Sequence, residues 1–452
     1  MRLIFSSLLV ISILSGCSER PGLDSNRFLD TLSSDTFHYF WDQADDVTGN
    51  IPDRWPSPSF SSIAATGFGL TSYLVGVERG YINREDAAGR VLKTLKFFHE
   101  APKGHAAKKV TGYRGFFYHF LDMKTGERFG DTELSTIDTG LLMMGILSCQ
   151  TYFDGDTNNE VDIRKYADSL YLAVEWDWAM NGGSTMTMGW RPETSFLKDR
   201  WKGYNEAMIL YVMGIGSPSH PISSDSWKVW TQTYQWGSYY GQDYVNFGPL
   251  FGHQYSQVWI DFKGIKDPYM RDKGIDYFEN SRRATYANQA YCINNAGAFN
   301  GYSKYMWGLT ACDGPGNEGK ININISFNGY HARGAAQWYL EDDGTIAPTA
   351  AGGSIPFAPE ICIRTLQHMK RTFGSKLYGV YGFKDAFNLS IERENGEHEW
   401  FDIDYLGIDQ GPILLQVENY RSGFVWNLMK RNPYIVTGLK KAGFEGGWLE
   451  RK

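Results

Sequence analysis

The chain has 452 residues, of which 42% are hydrophobic and 15% aromatic, and its net charge is −7. An acidic balance argues against nucleic acid as a partner, because a phosphate-binding surface needs clustered Lys and Arg. No Pro/Gly/Ser-rich linker, charge run or low-complexity tract divides the chain, so we predict one large domain over residues 25–452.

The N-terminus carries an export signal. Arg2 precedes the apolar run LIFSSLLVISIL, which is too short to span a membrane as a helix. The run ends in LSGC, which resembles a bacterial lipobox. We predict a lipoprotein signal peptide at residues 1–16, lipidation of Cys17 and a tether at residues 17–24; an ordinary signal peptide cut nearby is the alternative. The expected location is the periplasm or outer membrane of a Gram-negative bacterium, with membrane contact only through the anchor.

Apolar residues recur at helical spacing along most of the chain. In residues 25–41 Phe28, Leu32 and Phe40 fall on one face. Similar patterns predict helices over residues 63–80, 83–100, 135–152, 160–178, 204–214, 223–236, 274–293, 328–340, 355–373 and 410–430. Strand-like segments at residues 113–129 and 183–191 predict hairpins or long loops. We therefore predict helices packed in pairs, with loops at one end that carry a site.

Cysteine and histidine spacing predicts no metal site and no cofactor. The four cysteines after Cys17 are Cys149, Cys292, Cys312 and Cys362, and none lies at CxxC spacing. Disulfides cannot be assigned among them from the sequence. No two histidines have the spacing of a metal-binding pair, although those in Gly/Pro-rich loops are candidates to contact substrate.

Three clusters of carboxylates lie at the predicted starts of apolar helices. They comprise Asp131, Glu133 and Asp138; Glu206; and Asp402, Asp404 and Asp409. Each cluster alone is explained by helix capping, because an acid in the first turn is stabilised by the helix dipole. Three such clusters from distant parts of the chain, all among Trp and Tyr, favour a shared acidic cleft.

Glycoside hydrolysis needs two carboxyl groups in unlike environments, one protonated and one ionised. Glu206 has Trp201, Tyr204 and Met208 nearby, and apolar surroundings raise the pKa of a carboxyl group, which suits a general acid. Asp409 precedes Pro412, a residue favoured in the first helical turn, so backbone N–H groups are expected to favour its ionised form. Asp409 is therefore predicted to cap the helix and to activate a water.

Aromatic and polar side chains are predicted to line the cleft, because an aromatic ring with a polar tip stacks on sugar faces. A Trp/Tyr-rich core is an equally good explanation of the composition alone. The predicted substrate-binding residues are Trp190, Arg191, Tyr204, His220, His253, Gln254, Tyr255, Trp307, Arg333 and Gln410.

Three long motifs resemble the bacterial glucoamylase-like glycoside hydrolase family, whose characterised members include endo-β-1,2-glucanases. The motifs are GYNEAMILYVMGIGSPSHP, GPLFGHQYSQVWIDF and YLGIDQGPILLQVENYRSG, and the likeness covers most of residues 25–445. The resemblance implies an all-α (α/α)6 barrel, metal-independent hydrolysis with inversion and a lipoprotein or periplasmic setting. It also implies that Glu206 is the acid, with Glu133, Asp138 and the Asp404/Asp409 region lining the cleft. Within that region Asp402, Asp404 and Asp409 all remain candidates for the base.

The sequence thus predicts a glycoside hydrolase, expected to be a monomer, whose substrate is β-1,2-glucan or a related glucan. Two alternatives are a hydrolase of another glucan linkage and a lipoprotein that binds glycan without cleaving it. A polysaccharide lyase is less favoured, because lyases of acidic sugars need cationic groups and these motifs are acidic.

Overall fold

The computed structural model describes residues 23–316, 327–392, 396 and 398–450, and they form a mainly helical structure with small hairpins. The predicted signal peptide and Cys17 lie outside the described residues. Residues 23–24, predicted as tether, already belong to the first helix. The helices are α1 Leu23–Gln43, α2 Ile63–Glu78, α3 Arg84–Glu100, α4 Thr136–Tyr152, α5 Asn158–Leu172, α6 Trp176–Ala179, α7 Met208–Gly216, α8 Asp225–Thr231, α9 Tyr255–Trp259, α10 Pro268–Lys273, α11 Tyr277–Asn294, α12 Pro348–Gly352, α13 Pro359–Phe373, α14 Gly407–Ser422, α15 Phe424–Met429 and α16 Pro433–Lys441.

Short antiparallel strands connect the helices and form two- and three-stranded sheets. The strands are β1 Arg54–Trp55, β2 Ser61–Ser62, β3 Gly112–Tyr113, β4 Phe116–Phe117, β5 Phe120–Leu121, β6 Leu134–Ser135, β7 Gly189–Arg191, β8 Ser195–Phe196, β9 Trp236–Tyr239, β10 Gln242–Val245, β11 Ala311–Cys312, β12 His331–Ala332, β13 Gly334–Ala336, β14 Tyr339–Glu341, β15 Thr345–Ile346, β16 Tyr378–Gly379, β17 Gly382–Phe383, β18 Phe387–Asn388, β19 Trp400–Phe401 and β20 Tyr405–Leu406. Strand β1 pairs with β20, so segments about 350 residues apart meet.

The core is built on helices that are buried on nearly all sides. Helix α2 packs against α4 and α14, and α7 packs against α4 and α16. Almost every residue of α2, α4, α7 and α14 is buried. Helices such as α3 and α13 bury only one face and expose the other, which is the pattern of helices at the surface of a domain.

Glycine allows α2 and α4 to touch backbone to backbone. A Cβ atom on Gly145 would lie 2.2 Å from the carbonyl oxygen of Gly67, and one on Gly67 would lie 2.3 Å from the carbonyl oxygen of Leu141. Any larger residue at either position would force the two helices apart. The distance between these helices is therefore set by two positions without side chains.

Most of the predicted helices are present, with four corrections. The segments predicted as single helices at residues 160–178 and 410–430 are each divided, the first into α5 and α6 and the second into α14 and α15. The helix predicted at residues 223–236 ends at Thr231, and the helix predicted at residues 328–340 is wrong, because this segment forms β12, β13 and β14. Gly334 lies against another backbone segment, where a Cβ atom would be 2.3 Å from Gly248 C and Pro249 N. This tertiary contact outweighs the helical spacing of the apolar residues.

The described part of the chain contains no helix with the length and apolar run that a membrane crossing requires. Cys149, Cys292, Cys312 and Cys362 are buried free thiols.

Candidate functional site

Five buried helices begin around one pocket. Ser62 caps α2, Ile137 and Asp138 lie in the first turn of α4, Glu206 stands just before α7, and α9 and α14 start nearby. The cavity has a volume of about 460 Å³. Its lining consists of Asp53, Arg54, Phe60, Ser62, His119, Phe120, Ile137, Asp138, Leu141, Glu206, Phe251, Tyr255, Ala311, Tyr330, Leu406 and Ile408. The pocket combines apolar walls with a few ionisable groups, as ligand sites usually do.

Glu206 is a carboxyl group held in apolar surroundings at this pocket. The residue is 9% exposed, and its Oε2 accepts no hydrogen bond from any residue that the structure describes. Its backbone carbonyl accepts a hydrogen bond from Ser256 Oγ at 2.7 Å, which fixes the chain just before α7. Burial, with a smaller contribution from the charge of Asp138, raises the pKa of Glu206 to about 7. This agrees with the raised pKa predicted from its apolar neighbours.

Asp138 and His119 lie in a polar part of the same pocket, in contrast to the apolar surroundings of Glu206. Ser135 caps α4 by accepting the backbone N–H of Asp138, and its hydroxyl donates to Asp138 Oδ2. His119 Nε2 lies 3.5 Å from the same oxygen. Ser135 therefore caps α4, and Asp138 also lines the pocket.

Glu133 does not line the pocket but bonds to a residue that does. His119 Nδ1 lies 3.0 Å from Glu133 Oε1, and Arg191 Nη2 lies 3.3 Å from Glu133 Oε2. The hydrogen bond from His119 is the main reason why the pKa of Glu133 falls to about 2. Glu133 therefore acts on the pocket through His119.

A second group of carboxylates surrounds Arg54 on the pocket wall. Arg54 Nη1 lies 2.5 Å from Asp313 Oδ2 and 3.9 Å from Asp404 Oδ2, and its Nε lies 3.2 Å from Asp53 Oδ2. The backbone N–H of Ser57 donates to Asp404 Oδ1 at 2.8 Å. Arg54 therefore joins acids that are far apart in the sequence, and the pairing of β1 with β20 brings Asp404 next to it.

Asp385 and Asp409 are buried side by side behind this group. Burial and the charge of Asp409 raise the pKa of Asp385 well above its usual value, and Asp385 hydrogen-bonds to Asp409. Burial likewise raises the pKa of Asp409 to about 7, and burial followed by the charge of Asp385 raises the pKa of Asp402 to about 8. Two adjacent buried carboxyl groups favour sharing a proton over carrying two negative charges.

The structure corrects the environment predicted for Asp409. Helix α14 begins at Gly407 with Leu406 as its N-cap and has no side-chain cap, and Pro412 lies inside the helix. Asp409 is 2% exposed and does not line the pocket. Its pKa is raised, because burial outweighs the favourable field of the helix N-terminus. The prediction that Asp409 caps the helix and is held ionised by it is wrong.

The predicted substrate-binding residues have different surroundings, and Tyr255 is the member of this set that lines the pocket. His253, Gln254, Trp307, Arg333 and Gln410 are each at most 1% exposed. Buried polar groups are usually bonded within the protein: Gln254 donates to Ala350 O, Gln410 donates to Phe383 O, and Arg333 bonds to Asp343. These five side chains are buried away from the pocket lining in this structure, and their contact with substrate stays a prediction.

The other predicted substrate-binding residues also lie outside the pocket lining: Trp190, Arg191, Tyr204, His220 and His253. His253 Nε2 lies 3.1 Å from Phe247 O, and burial lowers the pKa of this histidine to about 4. Tyr204 and Trp190 are buried, His220 lies 3.5 Å from Asp177, and Arg191 bonds to Glu133.

Sequence reasoning missed several pocket residues, namely Asp53, Arg54, Phe60, His119, Phe120, Phe251 and Tyr330. Asp53 and Arg54 precede α2 in a Pro-rich loop, and a charged pair in such a loop was the available signal. His119 lies in the aromatic run FFYHF, where nothing local indicates that it contacts two acids.

Asp313, Asp385 and Asp402 each place an oxygen within 4.8 Å of the other two, close enough to share a cation. Arg54 already contacts Asp313, the Asp313 N–H donates to Asp385 at 2.7 Å, and Asp385 bonds to Asp409. Protons and Arg54 can therefore neutralise the negative charge of these three aspartates.

We expect dialysis against EDTA, followed by calcium addition, to leave the melting temperature unchanged. A rise in melting temperature on adding calcium would instead identify a structural ion.

Comparison with known proteins places this site in a family. Residues 198–433, which include Glu206 and Asp409, match the Glycoamylase family, described as "Putative glucoamylase". The chain is 32% identical over 93% of its length to an exo β-1,2-glucooligosaccharide sophorohydrolase of Parabacteroides distasonis, and it spans 58% of that relative's length.

Two solved structures are similar over nearly the whole chain. A Bacteroides uniformis structure described as a "putative glucoamylase" has 32% identity and a TM-score of 0.83, with 95% of this chain and 100% of that chain covered. An endo-β-1,2-glucanase from Chitinophaga pinensis, in complex with sophorotriose and glucose, has 31% identity and a TM-score of 0.81 at the same coverage. Since the family match covers more than half of the chain, this chain belongs to the Glycoamylase family.

Proposed function

We propose that the chain is a glycoside hydrolase that cleaves β-1,2-glucan or its oligosaccharides, with Glu206 as the general acid. The observation that carries the proposal is a buried carboxyl group with a pKa of about 7 at a pocket in a member of this family. The similarity to a β-1,2-glucanase and to a sophorohydrolase supports the linkage. Glycan binding alone does not require a carboxyl group whose pKa is set near neutrality.

Glu206 fits the acid role because it holds its proton where an ordinary glutamic acid has lost it. Protonation of the glycosidic oxygen by Glu206 lets the leaving sugar depart as a neutral alcohol. Apolar walls around Glu206 exclude water that would otherwise stabilise its carboxylate form. A pocket of about 460 Å³ leaves room for a sugar ring against Phe60, Phe120 and Phe251.

We assign the base that activates water to Asp138. Asp138 lines the same pocket, its Oδ2 accepts from Ser135, and His119 lies beside that oxygen. Asp409, the base predicted from the sequence, does not line the pocket and bonds to Asp385, so it would need water molecules to reach a sugar. Asp404 also does not line the pocket, but it lies beside Arg54, which does.

The proposed function is tested by incubating the full-length protein with linkage-defined glucans and separating the products. Release of glucose oligomers from β-1,2-glucan supports hydrolysis, and sophorose as sole product indicates exo action. Proton NMR of the first-formed anomer tests the inverting mechanism that the family resemblance implies. Binding without any product would instead establish a glycan-binding protein. Cleavage of a glucan with another linkage would replace β-1,2-glucan as the proposed substrate.

Variants at the base test the assignment to Asp138. Asp138→Ala is expected to lose activity on every glucan, and added azide is expected to restore turnover as glycosyl azide, because a small anion can replace the missing base and its water. Asp409→Asn is the comparison. Loss of activity in Asp409→Asn together with full activity in Asp138→Ala would return the base to Asp409.

The fold that the family resemblance implies, and that we propose here, is an (α/α)6 barrel formed by a single catalytic domain over residues 25–452. The order of the helices supports it, because helices buried all round alternate along the chain with helices that keep one face exposed, as in two concentric rings. The meeting of five helix N-termini at one pocket also fits a ring of inner helices. We expect a monomer, which sedimentation equilibrium would test.

The protein is further proposed to be an exported lipoprotein. The apolar run and LSGC support lipidation of Cys17. Cys17→Ala should move the protein out of the membrane fraction and abolish labelling by a radiolabelled fatty acid. Unchanged labelling of Cys17→Ala would contradict lipidation of Cys17. If an ordinary signal peptidase released the protein, neither the unmodified protein nor Cys17→Ala would be labelled.

The pH dependence of hydrolysis follows from Glu206. The general acid works in its protonated form, which predominates below its pKa of about 7. We therefore expect kcat/KM to decrease as the pH rises through about 7. The measurement is kcat/KM on β-1,2-glucan between pH 5 and about 9 at constant ionic strength. Full activity retained at the alkaline end would show that Glu206 is not the acid.

A further inference from the structure

A second cavity adjoins the pocket that contains Glu206. Its volume is about 220 Å³, and the residues that line it include Lys202, Tyr204, Gln235, Phe247, Trp338 and Tyr339. Phe247 packs edge-to-face against Phe251, which lines the first pocket, with ring centroids 5.6 Å apart. Tyr204 stands two residues before Glu206 in the chain. The second cavity is therefore placed to hold one part of a ligand whose other part lies at Glu206.

Trp338 is the most accessible tryptophan of the protein. It is 53% exposed, whereas the other tryptophans, all of which the structure describes, are buried or half-buried. An exposed apolar side chain needs no explanation by itself. Trp338, however, lies at the edge of a cavity, where its indole offers an apolar face next to polar groups. Such a ring is suited to stack on the face of a sugar.

Two glycines leave space for the aromatic rings of this cavity. Trp338 lies in the turn between β13 and β14, and Tyr339 begins β14. A Cβ atom on Gly237 would lie 2.5 Å from Trp338 Cη2, and one on Gly248 would lie 2.1 Å from Tyr339 Cδ1. The backbone N–H of Gln337 donates to Asn246 Oδ1 at 3.0 Å, which attaches the turn to the segment after β10. Trp338 is therefore exposed but held in a defined position.

Polar groups at the same cavity are free to bind a ligand. The ammonium group of Lys202 and the side-chain amide of Gln235 make no hydrogen bond or ion pair with any residue that the structure describes. An ammonium group donates hydrogen bonds, and an amide both donates and accepts them, so together they match the hydroxyl groups of a sugar. The lining residues include no carboxylate, which argues against a cation as the ligand.

We propose that the second cavity binds glucosyl residues of the same glucan chain that is cleaved at Glu206, with Trp338 as the ring on which one of them stacks. The inference rests on the proposed function for the identity of its ligand. A chain that reaches both cavities makes its second contact within an existing complex, so its affinity exceeds that of a chain confined to one cavity. Affinity should therefore increase with chain length.

Trp338→Ala tests the proposal through this dependence on chain length. The host protein is the full chain with Glu206→Gln, which slows turnover, and calorimetry measures Kd for β-1,2-linked glucose oligomers from the trisaccharide to the decasaccharide. We expect Kd to decrease with length. Trp338→Ala should weaken binding of the decasaccharide by about tenfold, which is the order of loss when an aromatic anchor is truncated.

Leu340→Ala is the matched control. Leu340 lies on the same hairpin and is 59% exposed, but it lines neither cavity, so its variant should keep the full dependence on chain length. Equal affinities of the Trp338→Ala and Leu340→Ala proteins for the decasaccharide would overturn the proposal.

A second measurement observes Trp338 directly and does not require hydrolysis. Fluorine NMR of protein labelled with 5-fluorotryptophan, with Trp338→Phe to identify the signal, should show the Trp338 resonance move when the decasaccharide is added. Hydrolysis of glucan with an unmoved Trp338 resonance would overturn this proposal alone. A moved resonance in a protein that does not hydrolyse glucan would overturn only the proposed function, and absence of any binding would overturn both.

Discussion

Glu206→Gln is expected to reduce hydrolysis of β-1,2-glucan by about 10³-fold, because a positioned general acid contributes roughly 10²–10⁴ to the rate. Gln has nearly the shape of a protonated Glu, so substrate binding should change little and the loss should appear in kcat. An activated aryl glycoside needs little protonation of its leaving group. The variant should therefore retain much more activity on an aryl glycoside than on the natural glucan.

The comparison variant is Glu100→Gln, at an exposed residue at the end of α3, which should behave like the unmodified protein. Equal losses on both substrates would show that Glu206 does not protonate the leaving group. Full activity on glucan would exclude it from catalysis.

Glu206→Gln should also remove a pH dependence of stability. The pKa of Glu206 is about 7 in the folded protein against 4.5 for the free side chain, so the folded state binds more protons between these values. The contribution of Glu206 to the free energy of unfolding therefore falls as the pH rises from about 4.5 to about 7. Gln does not titrate, so we expect the free energy of unfolding of the variant, measured by urea denaturation, to fall less between about pH 4.5 and 7 than that of the unmodified protein.

Asp343→Ala is expected to lower the free energy of unfolding by about 3–5 kcal/mol, because it leaves a buried guanidinium without its partner. Arg333 is 1% exposed and binds Asp343 through two parallel hydrogen bonds of 2.8 Å, from Nε and Nη2. Arg333 also donates to the carbonyl groups of Cys312, Asn328 and Gly329. These neighbours adjoin pocket residues Ala311 and Tyr330, so KM for glucan should rise as well.

Urea denaturation followed by tryptophan fluorescence measures the change, with Glu445→Ala as control. Glu445 pairs with Arg271 at 3.2 Å, but 65% of its side chain is exposed, and such pairs contribute at most about 1 kcal/mol. If the two variants were destabilised equally, the Arg333–Asp343 pair would not be the buried support of this loop region.

The helices were predictable from the sequence where burial is decided by the local pattern. In α1, α3 and α4 apolar residues recur at helical spacing and the segments form helices. In residues 328–340 the same spacing is present, but contact of Gly334 with Gly248 and Pro249 selects strands. Such a contact joins positions about 85 residues apart and leaves no sign in either segment.

The site was predictable where the environment is local. Glu206 is flanked in the sequence by apolar residues and is buried in the structure, so its raised pKa could be inferred from its neighbours in sequence. Asp409 could not be interpreted in this way, because Asp385, which bonds to it, is 24 residues away. Arg333 was predicted to bind substrate from its residue type, and its burial depends on Asp343 and on distant carbonyl groups.

The contact between Gly67 and Gly145 limits how this scaffold can acquire a new specificity. Helix α4 and Ser62, the N-cap of α2, line the pocket, and the backbones of the two helices already touch, so substitutions that widen the space between the helices disrupt the core. Diversification for other sugars is therefore confined to the segments that surround the cavity, such as those carrying Phe60 and Tyr330. A mutant library aimed at altered linkage preference should keep both glycines constant and randomise those rim positions.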